Sequence, residues 1–229
     1  DDPDGHQVHG FHSHLRDKDE LAKDIAIYYG MVSLMDKQIG QILDHLEALD
    51  LLENTLVVFT SDHGHLFGQH GMIAKGPFHY EDLLRVPMIA SLPGRIPADQ
   101  TSDSLQSLVD YAPTFLSFAG VPIPRTMSGV DQSAVWQASE QMARDHVLVE
   151  NHHQPTSLNL RTYINDRYKL TVYMGHDYGE LFDLVNDPAE TENLWLSESH
   201  QLLKQSLLLK MVQADMGRES TWMPRIIQA

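Results

Sequence analysis

The feature that most constrains the fold is a pair of short, almost wholly apolar runs rich in β-branched or bulky residues. The first is Leu56–Thr60, and the second, Val86–Leu92, leads directly into a Pro-Gly turn. Continuous apolar runs of this length are typical of strands buried on both faces, as in the parallel sheet of an α/β protein. Both runs are therefore predicted to be strands that need neighbours on either side.

Helical patterns surround these strands. Between residues 19 and 49, apolar side chains recur every three or four positions, which predicts one helix of about 30 residues, with Asp17 or Asp19 as its N-cap. A second helix is predicted over residues 108–119, ending at Gly120. The order helix, strand, loop, strand, helix is that of an open α/β sheet.

The pattern changes after about residue 137. Short strand-like segments follow one another closely, and Asn165–Arg167 has the composition of a hairpin connector. These segments are His146–Glu150, Leu160–Ile164, Tyr168–Tyr173 and Glu180–Leu184. A helix is then predicted over 197–216, whose apolar face comprises Leu202, Leu203, Leu207, Lys210, Met211 and Ala214. We therefore expect two domains, 1–136 and 137–229, the second a small antiparallel sheet with a helix.

The amino-acid composition argues against several classes of binding partner and of catalytic chemistry. The chain has 229 residues, a formal net charge of −16 and no cysteine. The charge argues against a general nucleic-acid or anionic-membrane binder, and the lack of cysteine excludes thiol catalysis and thiolate metal sites. An anionic substrate would need a local cationic device, such as a metal ion or a placed lysine.

Asp62-His63-Gly64 follows the first predicted strand, at the edge where open α/β sheets bind ligands. A carboxylate and an imidazole can share a divalent cation. Taken alone, the dipeptide favours a structural interpretation, in which Asp62 caps a turn and His63 is a polar loop residue.

The loop between the two predicted strands carries one lysine, Lys75, next to a glycine. Beside a metal pair, its ammonium group could bind an oxygen of sulfate or phosphate; the alternative is a solvated lysine. His65, His70 and His79 lie in the same loop. One of them could line a pocket, although unassigned loop histidines more often face solvent.

Three ordered motifs resemble the sulfatase family of the alkaline-phosphatase-like superfamily. Residues 60–94, with the sequence TSDHGHLFGQHGMIAKGPFHYEDLLRVPMIASLPG, resemble the C-terminal catalytic segment of that family. Residues 161–170 (RTYINDRYKL) and 180–194 (ELFDLVNDPAETENL) resemble its C-terminal signature. The helical pattern before the first strand also matches, so the resemblance runs from about residue 20 to residue 195.

The resemblance implies part of an alkaline-phosphatase-like open sheet with flanking helices, followed by a small antiparallel sheet and helix. It implies a metal-dependent sulfate-ester hydrolase in which Asp62 and His63 bind the cation and Lys75 is catalytic and contacts sulfate. We assign His79 to substrate binding with Lys75. Calcium is the expected ion, with manganese, zinc and magnesium as alternatives because His63 replaces an oxygen ligand.

The family's nucleophile, a formylglycine made from Cys or Ser in C/S-x-P/A-x-R, is expected in an N-terminal half missing from this chain. Ser91–Arg95 matches the pattern literally. It lies after the metal motif instead of before it, and we reject it as the nucleophile. The chain is thus predicted to be a C-terminal fragment, inactive alone, that binds its missing half or self-associates through an unpaired sheet edge.

Two alternatives share these residues. One is a phosphate- or phosphonate-ester hydrolase of the same superfamily. The other is a non-catalytic carbohydrate-binding fragment that uses aromatic side chains, although sheet packing is the commoner role of aromatics on strands. Those aromatic residues are Tyr163, Tyr168, Tyr173 and Trp195. The expected substrate is a sulfated small molecule or carbohydrate, and the localisation is left open between bacterial periplasm and cytoplasm.

Overall fold

The computed structural model describes residues 17–138, 140–153 and 158–218. The chain divides into a first unit, residues 1–98, and a second unit, residues 99–229. Within the described residues, no helix combines the length and the apolar character needed to cross a membrane.

The predicted long helix is present as α1, Lys18–Ala48. It begins where the Asp17 carboxylate accepts a hydrogen bond from the Glu20 backbone N–H at 2.8 Å, the usual way to satisfy a free amide in the first turn. No residue of α1 is buried. Several of its apolar side chains are largely exposed, which leaves an uncovered apolar face. They are Ile27, Tyr29, Met31, Leu34, Met35 and Ile42.

Both predicted strands of the first unit form. They are β1, Val57–Thr60, and β4, Met88–Ser91, and they pair antiparallel, with Thr60 opposite Met88. The sequence favoured buried strands of a parallel sheet; instead, neither strand has a buried residue, and Ile89 is 62% exposed. An apolar run does not encode pairing direction, and within the described residues each strand has only the other as a hydrogen-bonded neighbour.

A small hairpin follows β1. Its strands are β2, Leu66–Phe67, and β3, Ile73–Ala74, which pair antiparallel. The connection contains Gly68 and Gly71, both with positive φ, a backbone region that glycine adopts at little cost. The short helix α2, Glu81–Leu84, then precedes β4. The hairpin brings the chain back toward the end of β1.

The second unit begins with two short helices, α3 (Tyr111–Phe118) and α4 (Ser133–Gln137). As predicted, a glycine with positive φ, Gly120, follows α3. The fully buried Asp110 carboxylate accepts hydrogen bonds from the backbone of Ser107 and Val130 and from the side chains of Gln132 and Arg144. Four donors to one buried carboxylate satisfy its charge and fix the loops around α3.

The predicted antiparallel sheet is present, with four strands in chain order. They are β5 (Val147–His153), β6 (Leu158–Ile164), β7 (Tyr168–Tyr173) and β8 (Gly179–Asp183). The last helix, α5 (Gln201–Gly217), covers one face of this sheet. The predicted domain boundary at 136/137 stays a prediction; it falls within α4, before its last residue, Gln137.

The core of the second unit lies between the sheet and α5. It is a cluster of buried residues, namely Tyr163, Leu170, Leu181, Leu194, Leu207 and Met211. Leu202 was predicted on the inner face of this helix but is 81% exposed, because α5 is apolar on more than one side and the pattern alone did not select the packed face. Tyr163 and Tyr173 are buried, so their rings offer no surface to a sugar.

An ion pair links the start of β7 to the end of β8: Arg167 directly precedes β7, and Asp183 is the last residue of β8. The Arg167 guanidinium donates to the Asp183 carboxylate at 2.7 and 3.1 Å, and the Asn186 amide adds a further bond. Together these donors lower the pKa of Asp183 to about 2. A carboxyl whose pKa is depressed in the folded state contributes stability above its unfolded pKa, and that stability is lost as the pH falls toward the folded pKa.

We therefore expect the second unit to lose up to about 2 kcal/mol of unfolding free energy between about pH 4 and pH 2 through Asp183. Urea unfolding followed at pH 6 and at pH 2.5 measures this loss. Asp183→Asn should be destabilised at pH 6 and should lack this part of the pH dependence. Asp166→Asn, an exposed neighbour, is the control, and an equal pH dependence in wild type and Asp183→Asn would contradict the assignment.

Candidate active site

Three of the four predicted site residues lie together at the end of β1. Asp62 and His63 follow β1, and Lys75 follows β3. The Lys75 Nζ atom lies 3.1 Å from His63 Nε2, and His63 Nε2 lies 3.5 Å from Asp62 Oδ2. The β2–β3 hairpin therefore brings a lysine from twelve residues further along the chain into contact with the predicted metal pair.

The two nitrogens of His63 have different partners. Nδ1 lies 2.8 Å from the backbone carbonyl oxygen of Gly64. Because a carbonyl only accepts hydrogen bonds, Nδ1 carries the proton in the neutral ring, and Nε2 presents a lone pair. This lone pair faces the Lys75 ammonium group, which donates. Both contacts therefore favour the same tautomer, the one in which Nε2 can bind a metal.

Asp62 is the exposed member of the cluster, with 83% of its side chain accessible. One carboxylate oxygen accepts a hydrogen bond from the His63 backbone N–H at 3.0 Å. This bond is the main reason that the pKa of Asp62 is lowered. Its second oxygen, Oδ2, faces the His63 ring. A negatively charged oxygen that can bind a metal ion therefore lies beside the imidazole lone pair.

Gly64 is held against α2. Its N–H donates to the Leu83 carbonyl at 2.8 Å, and a Cβ atom at this position would lie 1.8 Å from the Asp82 carbonyl oxygen. Only glycine fits this approach without moving the backbone. The glycine after the Asp-His pair therefore fixes the carbonyl that selects the His63 tautomer, a role that sequence analysis did not assign.

The other loop histidines are also placed by aromatic contacts. His65 stacks on Tyr28 of α1, with ring centroids 5.7 Å apart, and the pKa of His65 is lowered, chiefly by burial and also by the nearby charge of Lys75. His70 stacks on Tyr80 at 3.7 Å. His79, predicted to bind substrate, is only 4% exposed, and its role stays a prediction.

Ser91, the literal match to a nucleophile motif, lies elsewhere in this unit. It pairs with Val57, whereas Thr60, next to the Asp62 segment, pairs with Met88. Ser91 is therefore at the end of the β1–β4 pair opposite to Asp62, and the two ends of the pair are roughly 10 Å apart at about 3.3 Å per residue. This placement agrees with its rejection as the nucleophile.

The donor chemistry at Asp62 and His63 fits a divalent cation. A carboxylate oxygen and an unprotonated imidazole nitrogen 3.5 Å apart can bind one ion, since oxygen and nitrogen are ligands that calcium, manganese and zinc accept in differing proportion. Within the described ranges no group of three or more His, Asp or Glu side chains is arranged around one point. The two residues can therefore form only part of a coordination shell.

Two protein-family models match the chain. The sulfatase model matches residues 4–121, and the model for the C-terminal region of N-sulphoglucosamine sulphohydrolase matches residues 68–216. The first covers the candidate site, and the second covers Lys75 and the antiparallel sheet.

An N-acetylglucosamine-6-O-sulfatase of Bacteroides thetaiotaomicron is 32% identical over 193 residues, which are 81% of this chain and 34% of the relative. The solved structure of BT4656 in complex with its substrate D-glucosamine-2-N,6-O-disulfate has a TM-score of 0.78 and 28% identity, over 83% of this chain and 40% of that one. A phosphonate monoester hydrolase of Agrobacterium radiobacter has a TM-score of 0.78 and 25% identity, over 87% and 42%.

The chain thus spans about a third of the length of the curated relative named above. The two family matches together include the Asp-His pair, the lysine and the antiparallel sheet. The extent of both family matches establishes the family, and the chain belongs to the sulfatases of the alkaline-phosphatase-like superfamily.

Proposed function

We propose that this chain provides the metal-binding and sulfate-binding part of an enzyme that hydrolyses sulfate esters. The observation that carries the proposal is the contact of the Lys75 ammonium group with His63, beside the Asp62 carboxylate. Membership of the sulfatase family and the similarity to an N-acetylglucosamine-6-O-sulfatase support the same reaction.

Asp62 and His63 would hold a divalent cation through Oδ2 and Nε2, with calcium as the first choice and manganese, zinc or magnesium as alternatives. When bound, such an ion offsets the negative charge on ester oxygens and lowers the pKa of an oxygen nucleophile. The fixed His63 tautomer would leave the single Nε2 lone pair to the ion without a proton loss, once Lys75 gives up its hydrogen bond to that atom.

Lys75 is the catalytic and substrate-binding residue of the proposal. Its ammonium group is exposed and lies at the metal pair, so it can donate to a sulfate oxygen or to the leaving-group oxygen. An anionic substrate approaching a chain of net charge −16 meets overall repulsion, so this local cation and the metal ion would have to provide the attraction. His79 would contribute to the same pocket.

The nucleophile would come from outside the chain. We propose that a formylglycine in the part of the enzyme that precedes this chain serves as nucleophile, and that this part covers the exposed apolar face of α1 and the strands β1 and β4. Half-buried strands and uncovered apolar side chains are the features expected where a sheet continues into further structure.

A sulfated carbohydrate is the proposed substrate class. The support is that the relative named above is an N-acetylglucosamine-6-O-sulfatase and that the similar solved structure is in complex with its substrate, D-glucosamine-2-N,6-O-disulfate. Hydrolysis of phosphonate esters is the second candidate, because a phosphonate monoester hydrolase has the same fold over most of this chain. A non-catalytic carbohydrate-binding role is disfavoured, since Tyr163 and Tyr173 are buried.

Removal of the Lys75 amine should lower turnover. In the complete enzyme, we expect Lys75→Ala to reduce kcat/KM for an aryl sulfate by about 100-fold or more, the scale for loss of one electrostatic donor. Lys37→Ala, an exposed lysine of α1, is the matched control and should keep wild-type turnover. Equal kcat/KM in the two variants would remove Lys75 from the mechanism.

A panel of esters separates the two candidate reactions. We expect the complete enzyme to hydrolyse an aryl sulfate with a higher kcat/KM than an aryl phosphonate monoester of the same leaving group. The reverse order would favour the phosphonate hydrolase, since both reactions can use Asp62, His63 and Lys75.

The isolated chain should behave differently from the complete enzyme. We expect it to show no turnover of aryl sulfates, because the nucleophile is absent, and to self-associate through the uncovered apolar surface of the first unit. Light scattering at micromolar concentration measures the association. A monodisperse monomer would contradict the proposed cover, and turnover would contradict the proposed source of the nucleophile.

A further inference from the structure

An aromatic cluster joins α1 to the loop that carries Asp62 and His63. The Tyr28 ring stacks on His65 at 5.7 Å and meets Phe67 edge-on at 4.9 Å. His65 and Phe67 also contact each other, with centroids 4.5 Å apart. Tyr28 is 37% exposed, whereas its neighbour Tyr29 is 66% exposed, so α1 directs only one of its two adjacent tyrosines at the loop.

A second contact supports the same orientation. Leu21 lies two helical turns before Tyr28 and therefore on the same face of α1. Its Cδ2 atom lies 3.1 Å from the position that a Cβ would occupy on Gly68. α1 thus contacts the loop and the start of the hairpin at two points along one face.

The loop is held from its other side by α2. The Gly64 N–H donates to the Leu83 carbonyl at 2.8 Å. Two supports therefore follow His63 directly in the chain: the α2 contact at Gly64 and the aromatic contact at His65. The segment between them contains the carbonyl that accepts from His63 Nδ1, so the position of this carbonyl depends on both.

We propose that Tyr28 is a positioning residue for the site, acting through His65 and Phe67 to hold the backbone so that His63 keeps Nδ1 on the Gly64 carbonyl and Nε2 beside Lys75. The consequence for metal binding rests on the proposed function. The expected effect on the His63 tautomer does not rest on the proposed function, since the tautomer is a property of the chain without metal.

The ring of Tyr28 carries this role, not its hydroxyl group. The contacts of Tyr28 with the described residues are ring contacts, and Phe preserves them. Tyr28→Phe should therefore match the wild type, Tyr28→Leu should not, and Tyr29→Leu serves as the matched control on the same turn of α1.

The test is the tautomer of His63 in the full chain, read from the nitrogen chemical shifts of its ring by NMR at a pH at which the ring is neutral. We expect wild type, Tyr28→Phe and Tyr29→Leu to hold the Nδ1–H form as the dominant tautomer. Tyr28→Leu should lose that dominance. An unchanged His63 tautomer in Tyr28→Leu would overturn the proposal, as would its loss in Tyr29→Leu to the same extent.

Manganese binding provides the second readout, measured in the complete enzyme as broadening of the His63 ring signals on titration with Mn²⁺. We expect Tyr28→Leu to weaken binding about tenfold, the lower end of the range for loss of an outer-shell support. If Mn²⁺ leaves the wild-type His63 signals unchanged, the proposed metal site fails, and the tautomer result alone decides the role of Tyr28. If Tyr28→Leu does not fold, Phe67→Leu is measured in its place, with the same expected and contradicting outcomes.

Discussion

The hydrogen bond from His63 Nδ1 to the Gly64 carbonyl is the interaction on which the candidate site depends. It fixes the ring plane and the tautomer, and so determines that Nε2 faces Lys75 and Asp62 as a lone pair. The bond in turn requires the backbone of Gly64 to approach α2 more closely than any side chain permits. A backbone contact at the residue next to His63 thus sets the chemistry of a partly exposed imidazole.

The two units are stabilised by different means. In the second unit, a sheet and α5 enclose a buried apolar cluster, and the charges near it are paired, as at Asp110 and in the buried ion pair of Lys169 with Glu190. In its described residues, the first unit has a long helix without a single buried residue and two two-stranded ladders. The unit that carries the candidate site therefore has less apolar burial of its own to stabilise it.

Local sequence signals predicted the elements but not their arrangement. The bounds of α1 followed from its apolar periodicity and from Asp17, which are local features. The pairing direction of β1 and β4 could not be predicted, since an apolar run is compatible with either direction. Leu202 was predicted on the packed face of α5 but is exposed. The prediction was wrong because that helix is apolar around much of its circumference.

Local sequence signals were equally unable to predict the arrangement of the candidate site. The spacing of the residues alone did not predict that Lys75 shares a site with His63; the family resemblance did. The physical cause of their contact is the β2–β3 hairpin. The close approach of Gly64 to the Asp82 carbonyl and the stack of His65 on Tyr28 involve residues distant in sequence. No local pattern marks such contacts, so they emerged only from the fold.

The central claim is that Asp62 and His63 share one metal ion beside Lys75. Anomalous X-ray diffraction from crystals of the complete enzyme grown with Mn²⁺ tests it most directly. We expect an anomalous peak within about 2.0–2.6 Å of both Asp62 Oδ2 and His63 Nε2, the range of metal–ligand distances in such sites. A fully occupied manganese site that excludes either residue would contradict it.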